Sequence, residues 1–103
     1  MDKKLAVKKA KKFSEKIIGI LPIDSIILYG SYARGTNHKN SDIDIAIIVK
    51  KFDKDYFETY RKLTDAGNEI DYRIESIILE KDKDFSGFLQ TISKEGIVVY
   101  KAA

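Results

Sequence analysis

The sequence predicts a small α/β (α+β) domain in which one mixed sheet of about four strands packs against helices. Segments with apolar residues at helical spacing alternate with short, β-branched apolar runs in the order α-β-(α)-β-α-β-α-β. The 103 residues suffice for one core and no second domain, so 1–103 is expected to fold as a single unit. No internal repeat and no low-complexity stretch interrupts the alternation.

Ala6, Ala10, Phe13 and Ile17 share one stripe and predict a helix over about 2–18, with lysines opposite and Gly19 and Pro22 ending it. Ile23 to Tyr29 is a buried-type strand that stops at Gly30. Ser31 to Gly35 reads as a turn with a short helical piece, and Thr36 to Ser41 as a polar, exposed loop. Ile43 to Val49 is the second strand. Phe52, Tyr56, Tyr60 and Leu63, with Phe57 beside them, predict a helix over 53–66 closed by Gly67-Asn68. From 70 to 79 the chain is strand-like, with Ile70, Tyr72 and Ile74 alternating against Asp71, Arg73 and Glu75. A charged connection, 80–84, leads to a last helix through Phe85, Phe88, Leu89 and Ile92. Gly96 ends that helix, and Ile97 to Tyr100 forms a final strand.

Hydrophobic residues make up 44% and charged residues 34% of the chain, a globular balance. No apolar run approaches the ~20 residues that span a bilayer, and the N-terminus lacks a signal peptide's apolar stretch, so a cytoplasmic protein with no membrane partner is expected. Without Cys, and with His38 alone among histidines, thiolate and imidazole-rich metal sites are excluded. Any metal must be held by oxygen, which favours Mg²⁺, Mn²⁺ or Ca²⁺. The net charge of +3 comes from Lys3, Lys4, Lys8, Lys9, Lys11, Lys12 and Lys16, all in the first helix.

Period two places Asp42 and Asp44 on one face of their strand, about 6–7 Å apart, where a divalent cation turns their repulsion into binding. The apolar run Ala46 to Val49 follows directly, so the acids stand at the mouth of a buried strand. Asp-x-Asp alone is a common solvated strand end and decides nothing. Eleven residues upstream of Asp42, however, Ser31 follows Gly30 at a strand-to-helix turn. That turn offers backbone N–H groups and a hydroxyl to an anion, although Ser31 as a plain helix cap explains it equally well by itself. An anion cradle followed by a cation pair is a combination neither half produces often by accident. Asp71 is a candidate third carboxylate if its strand neighbours the one carrying Asp44, enough for two metal ions; its alternative is a surface pair with Arg73.

Gly30-Ser31-Tyr32-Ala33-Arg34-Gly35 followed by Ser41-Asp42-Ile43-Asp44 resembles the signature of the DNA polymerase beta-type nucleotidyltransferase superfamily. Within it the chain is similar to the minimal nucleotidyltransferases, from the first helix to the closing Glu95-Gly96-Ile97-Val98-Val99-Tyr100. The resemblance implies the superfamily's fold, with Gly30 and Ser31 on a nucleotide's triphosphate and Asp42 and Asp44 binding two Mg²⁺ ions. It implies Asp71 as a third catalytic, metal-binding acid and places Arg34 on phosphate or in the anchoring of the turn. The implied reaction is attack of an acceptor hydroxyl on the α-phosphorus of a nucleoside triphosphate, ATP foremost, with release of pyrophosphate.

The chain has no room for the helical domain with which larger members grip base and acceptor. Minimal members are typically encoded beside a helical HEPN-type partner, and some act as antitoxins that transfer AMP onto its tyrosine; the same is expected here. The competing class is a non-catalytic antitoxin or binding subunit that acts by contact. A third treats the lysine-rich helix as an RNA-binding surface, which is disfavoured because no stacking aromatic lies among those lysines. Tyr56, Phe57 and Tyr60 are expected to pack the core or a partner surface, and His38 to be a solvated loop residue. A homo-oligomer remains open.

Overall fold

In the computed structural model, which describes residues 1–84 and 86–103, helix α1 (Lys3–Ile17) begins where the Asp2 carboxylate accepts the Leu5 backbone N–H at 2.8 Å. Strand β1 (Ser25–Tyr29), helix α2 (Ser31–Arg34), strand β2 (Ile43–Val49), helix α3 (Tyr56–Asn68), strand β3 (Ile74–Glu80), helix α4 (Phe88–Glu95) and strand β4 (Ile97–Lys101) follow in the predicted order. The sheet runs β3-β2-β1-β4, with β1 antiparallel to both neighbours and β2 parallel to β3.

The two central strands explain the unbroken apolar runs in the sequence, because both of their faces are covered. Ile43, Ile45, Ile47 and Val49 of β2 join Ile26 and Leu28 of β1 against Ala6, Ala10, Phe13 and Ile17 of α1 and Leu63 of α3. Ala46, Ile48 and Ile27 face the other way and meet Ile92 of α4. Helix α4 covers only part of that second face.

Several element boundaries differ from the sequence reading. Helix α3 starts at Tyr56 because the Asp55 carboxylate accepts the Glu58 N–H at 2.8 Å, so Phe52 lies ahead of the helix and rests on the core. At its other end Gly67 is not a cap but a buried contact: a Cβ there would lie 3.2 Å from Ile74 Cγ2, so glycine lets α3 approach β3 closely. Strand β3 begins at Ile74 rather than 70. The Gly67 carbonyl takes the N–H groups of both Ile70 and Asp71, and the Asp71 carboxylate takes that of Arg73, a turn that spends the donors a strand would have used. Helix α4 begins at Phe88; Phe85, expected on its apolar face, lies outside the described residues.

Strand β3 is an edge, and its Ile78 N–H donates to the Tyr60 hydroxyl at 2.6 Å, which saturates one group of the exposed rim. Among the described residues, no helix is long and apolar enough to cross a membrane.

Candidate active site

The pairing registers assemble the site. Antiparallel pairing sets Tyr29, the last residue of β1, opposite Asp44, and parallel pairing sets Asp44 beside Glu75. Tyr29, Asp44 and Glu75 therefore stand in a row across three strands, on the face that α4 leaves partly open. Asp42 lies two residues earlier and shares that face. One carboxylate oxygen from each of Asp42, Asp44 and Glu75 lies within 4.8 Å of the other two. The site forms at the C-terminal end of β1 and the N-terminal ends of β2 and β3.

Crowding three acids has an electrostatic consequence. Burial, then the charges of Asp42 and Glu75, push the Asp44 carboxyl up to about 6, with Arg34 pulling in the other direction. Burial, followed by Asp44 and Glu75, likewise pushes the Tyr29 phenol up to about 12, so it stays a neutral hydroxyl. An oxygen-only set of three carboxylates suits a hard divalent ion such as Mg²⁺ or Mn²⁺, whose charge would offset that repulsion.

Gly30 lies flush against this cluster. Its backbone, at φ 74° and ψ −152°, is in a region open essentially to glycine, and an added Cβ would collide with the Asp44 carboxylate. The chain then turns into α2, whose first turn receives no side-chain cap hydrogen bond. Arg34 is exposed on the same short helix. The loop entering Asp42 is fixed by Ser41, a buried residue whose hydroxyl accepts the His38 N–H at 2.8 Å.

Asp71 does not stand with the pair. It is held in the turn before β3, where its carboxylate receives Lys9 Nζ at 2.6 Å and Arg73 through Nε at 3.0 Å and a terminal guanidinium nitrogen at 2.7 Å. Arg73, with Lys9 assisting, holds the carboxyl well below the usual carboxylate range. Its work is to fasten α1 to the start of β3. The strand adjacency expected for a third acid is real, but the turn displaces Asp71 from the row, and Glu75 takes that position. Glu75 carries the same alternation signal as Asp71, one step further along the polar face. Tyr29 was also missed as a site residue, since a tyrosine ending an apolar run reads simply as core.

Of the other expectations, Tyr60 packs against the core, whereas Tyr56 and Phe57 are 58% and 83% exposed. His38 is exposed. A shallow hollow along Asp2, Lys4, Leu5, Lys8 and Lys11 touches none of Asp42, Asp44 and Glu75.

Residues 8–103 match the family model described as polymerase beta, nucleotidyltransferase. A candidate protein adenylyltransferase of Methanocaldococcus jannaschii, MJ1305, is 38% identical over 79 residues, covering 74% of this chain and 50% of the relative, so the chain spans half that protein's length. Among solved structures, a chain from a toxin-antitoxin with AMP-PNP superposes with a TM-score of 0.63 at 27% identity, covering 93% of this chain and 73% of that one. A candidate nucleotidyltransferase from Sulfolobus solfataricus superposes with a TM-score of 0.69 at 23% identity over 96% of this chain and 83% of its own, a likeness of fold.

Proposed function

The chain belongs to the polymerase beta nucleotidyltransferase family, and from that premise we propose that it moves AMP from ATP onto an acceptor hydroxyl of a helical HEPN-type partner, as the antitoxin of a toxin-antitoxin pair. The observation that carries this reading is the convergence of Asp42, Asp44 and Glu75 beside a glycine turn that can accommodate no side chain against Asp44. The M. jannaschii relative and the chain from a toxin-antitoxin with AMP-PNP support it.

In this mechanism Asp42, Asp44 and Glu75 are the residues that would hold Mg²⁺, two ions in the full site, with Mn²⁺ as a substitute. When bound, the metal supplies Lewis-acid polarisation of the phosphate and a lowered pKa for the acceptor hydroxyl. Ser31 and the leading N–H groups of α2 receive the triphosphate, and Arg34 adds positive charge. Glu75 takes the proton from the acceptor hydroxyl. The acceptor oxygen bonds to the α-phosphorus as the bond to the bridging oxygen breaks, and pyrophosphate leaves. The chain contributes positioning and fixed charge, with no covalent enzyme intermediate.

Incubation with ATP, Mg²⁺ and a helical partner encoded beside the gene, followed by intact-mass measurement, should add one or more nucleotide masses to the partner. An unmodified partner in the presence of demonstrably bound ATP would defeat the proposal. Neutralisation by contact alone is a second reading, favoured by the exposed Tyr56 and Phe57 on α3. Asp44→Asn separates the two: contact survives the substitution and transfer does not.

A further inference from the structure

The row of site residues has two unlike flanks. Glu75 stands on the β3 side of Asp44, and Tyr29 on the β1 side. Tyr29 leads directly into Gly30 and Ser31, so the turn proposed to receive the triphosphate lies on the Tyr29 flank as well. Beside Tyr29 stands Phe88 at the start of α4, their rings edge to face with centroids 5.7 Å apart and planes at 89°.

Phe88 is a large apolar side chain left 41% exposed, and it does not sit on a frayed end. The Asp84 carboxylate accepts the N–H groups of Leu89 and Gln90 at 2.8 and 3.0 Å, and Ile92 one turn later is buried against Ile27, Ala46 and Ile48. Helix α4 is thus anchored at both ends of its first turn, which fixes the Phe88 ring against Tyr29, the residue paired with Asp44 across the sheet. An anchored aromatic face left open to solvent beside a charged cluster is the arrangement that stacks a planar ring whose attached charges reach the cluster.

We propose that Phe88, buttressed by Tyr29, is the wall on which the nucleobase of the bound nucleoside triphosphate stacks. The inference rests on the function proposed above. If Glu75 serves the acceptor, the acceptor approaches from the β3 flank. In-line displacement then places the leaving pyrophosphate on the opposite, β1 flank, toward Gly30 and Ser31, and the half-open Phe88 ring beside Tyr29 on that flank is the surface offered to the base. A stacking wall reads the π-face of a base rather than its edges, so this surface grips purine nucleotides by area and leaves edge recognition to other groups.

Calorimetric titration of the full chain with a non-hydrolysable ATP analogue and with inorganic tripolyphosphate, both in Mg²⁺, tests the wall. Phe88→Ala should weaken the analogue about 5- to 100-fold and leave tripolyphosphate unchanged. Phe88→Leu, which keeps an apolar side chain but no π-face, should show the same selective loss, whether or not the alanine variant folds. An unchanged analogue affinity in Phe88→Leu, or an equal loss for both ligands, would overturn the wall and leave the phosphate site standing. A wild-type chain that binds tripolyphosphate as tightly as the analogue would do the same. A wild-type chain that binds neither ligand overturns the proposed function together with the wall.

Discussion

Replacing Asp44 with asparagine separates what the site costs the fold from what it does. Folding moves the Asp44 carboxyl from 3.8 to about 6, a difference equivalent to about 3 kcal/mol at about 1.4 kcal/mol per pH unit. Asp44 is only half-buried, and solvent screening reduces the figure to about 1–2 kcal/mol. A carboxyl raised on folding favours the native state while it is protonated. The benefit is complete below pH 3.8 and is lost as the pH rises through about 6, so the ionised site is a net cost at pH 8. Asp44→Asn removes that charge and should raise the melting temperature at pH 8 by about 4–15 °C, given about 4–8 °C per kcal/mol for a domain of this size. Near pH 4 the two proteins should melt together. Saturating Mg²⁺ should stabilise the wild type and leave the asparagine variant unmoved, because a ligand that binds only the native state shifts its melting. Scanning calorimetry at the two pH values, with and without Mg²⁺, reads all of these outcomes. The reasoning is refuted if the variant melts lower than wild type at pH 8, or gains as much from Mg²⁺.

Gly30→Ala forces a Cβ into both a glycine-only backbone region and the Asp44 carboxylate, and should cost about 1–3 kcal/mol of stability while abolishing the Mg²⁺-induced shift in melting. Asp71→Asn breaks the tie among Lys9, Arg73 and the turn before β3, and should cost about 2 kcal/mol while leaving Mg²⁺ and nucleotide binding intact by titration. Because the Asp71 carboxyl is held low, the wild type has this stability at neutral pH and loses it as the pH falls below the ordinary carboxylate range, so the gap between the two proteins should close in acid. A stably folded Asp71→Asn chain that no longer binds metal would restore Asp71 to the site. Tyr60→Phe strips the Ile78 N–H of its 2.6 Å partner and should cost about 1 kcal/mol, with faster hydrogen exchange at the Ile78 amide.

The alternation of helical and strand segments carried the fold, because core periodicity in α1, β1 and β2 is set by burial and burial is written in the apolar residues. The turn before β3 was not legible in the same way. Residues 70–75 alternate as a strand should, and only the local competition of the Asp71 side chain for the Arg73 N–H, with the close approach that Gly67 allows to α3, reveals the turn. The choice of Asp71 as candidate third acid rested on that reading, whereas the carboxylates that converge are those of Asp42, Asp44 and Glu75. Gly30, Asp42 and Asp44 were legible because turn chemistry and strand parity are local properties. Glu75 and Tyr29 join them through strand register, which no short stretch of sequence encodes. The antiparallel β1–β2 pair places the acids at the N-terminal end of β2, with the glycine turn coming from the C-terminal end of β1.

The central claim is that Asp42, Asp44 and Glu75 together hold a divalent metal beside a nucleotide. Electron paramagnetic resonance of Mn²⁺, titrated into the chain with a non-hydrolysable ATP analogue, tests it directly. The account predicts saturable Mn²⁺ binding by the wild type, competed by Mg²⁺, and loss of that binding in Asp42→Asn, Asp44→Asn and Glu75→Gln alike, with Asp71→Asn binding as the wild type does. Mn²⁺ binding that survives Glu75→Gln but disappears in Asp71→Asn would contradict it.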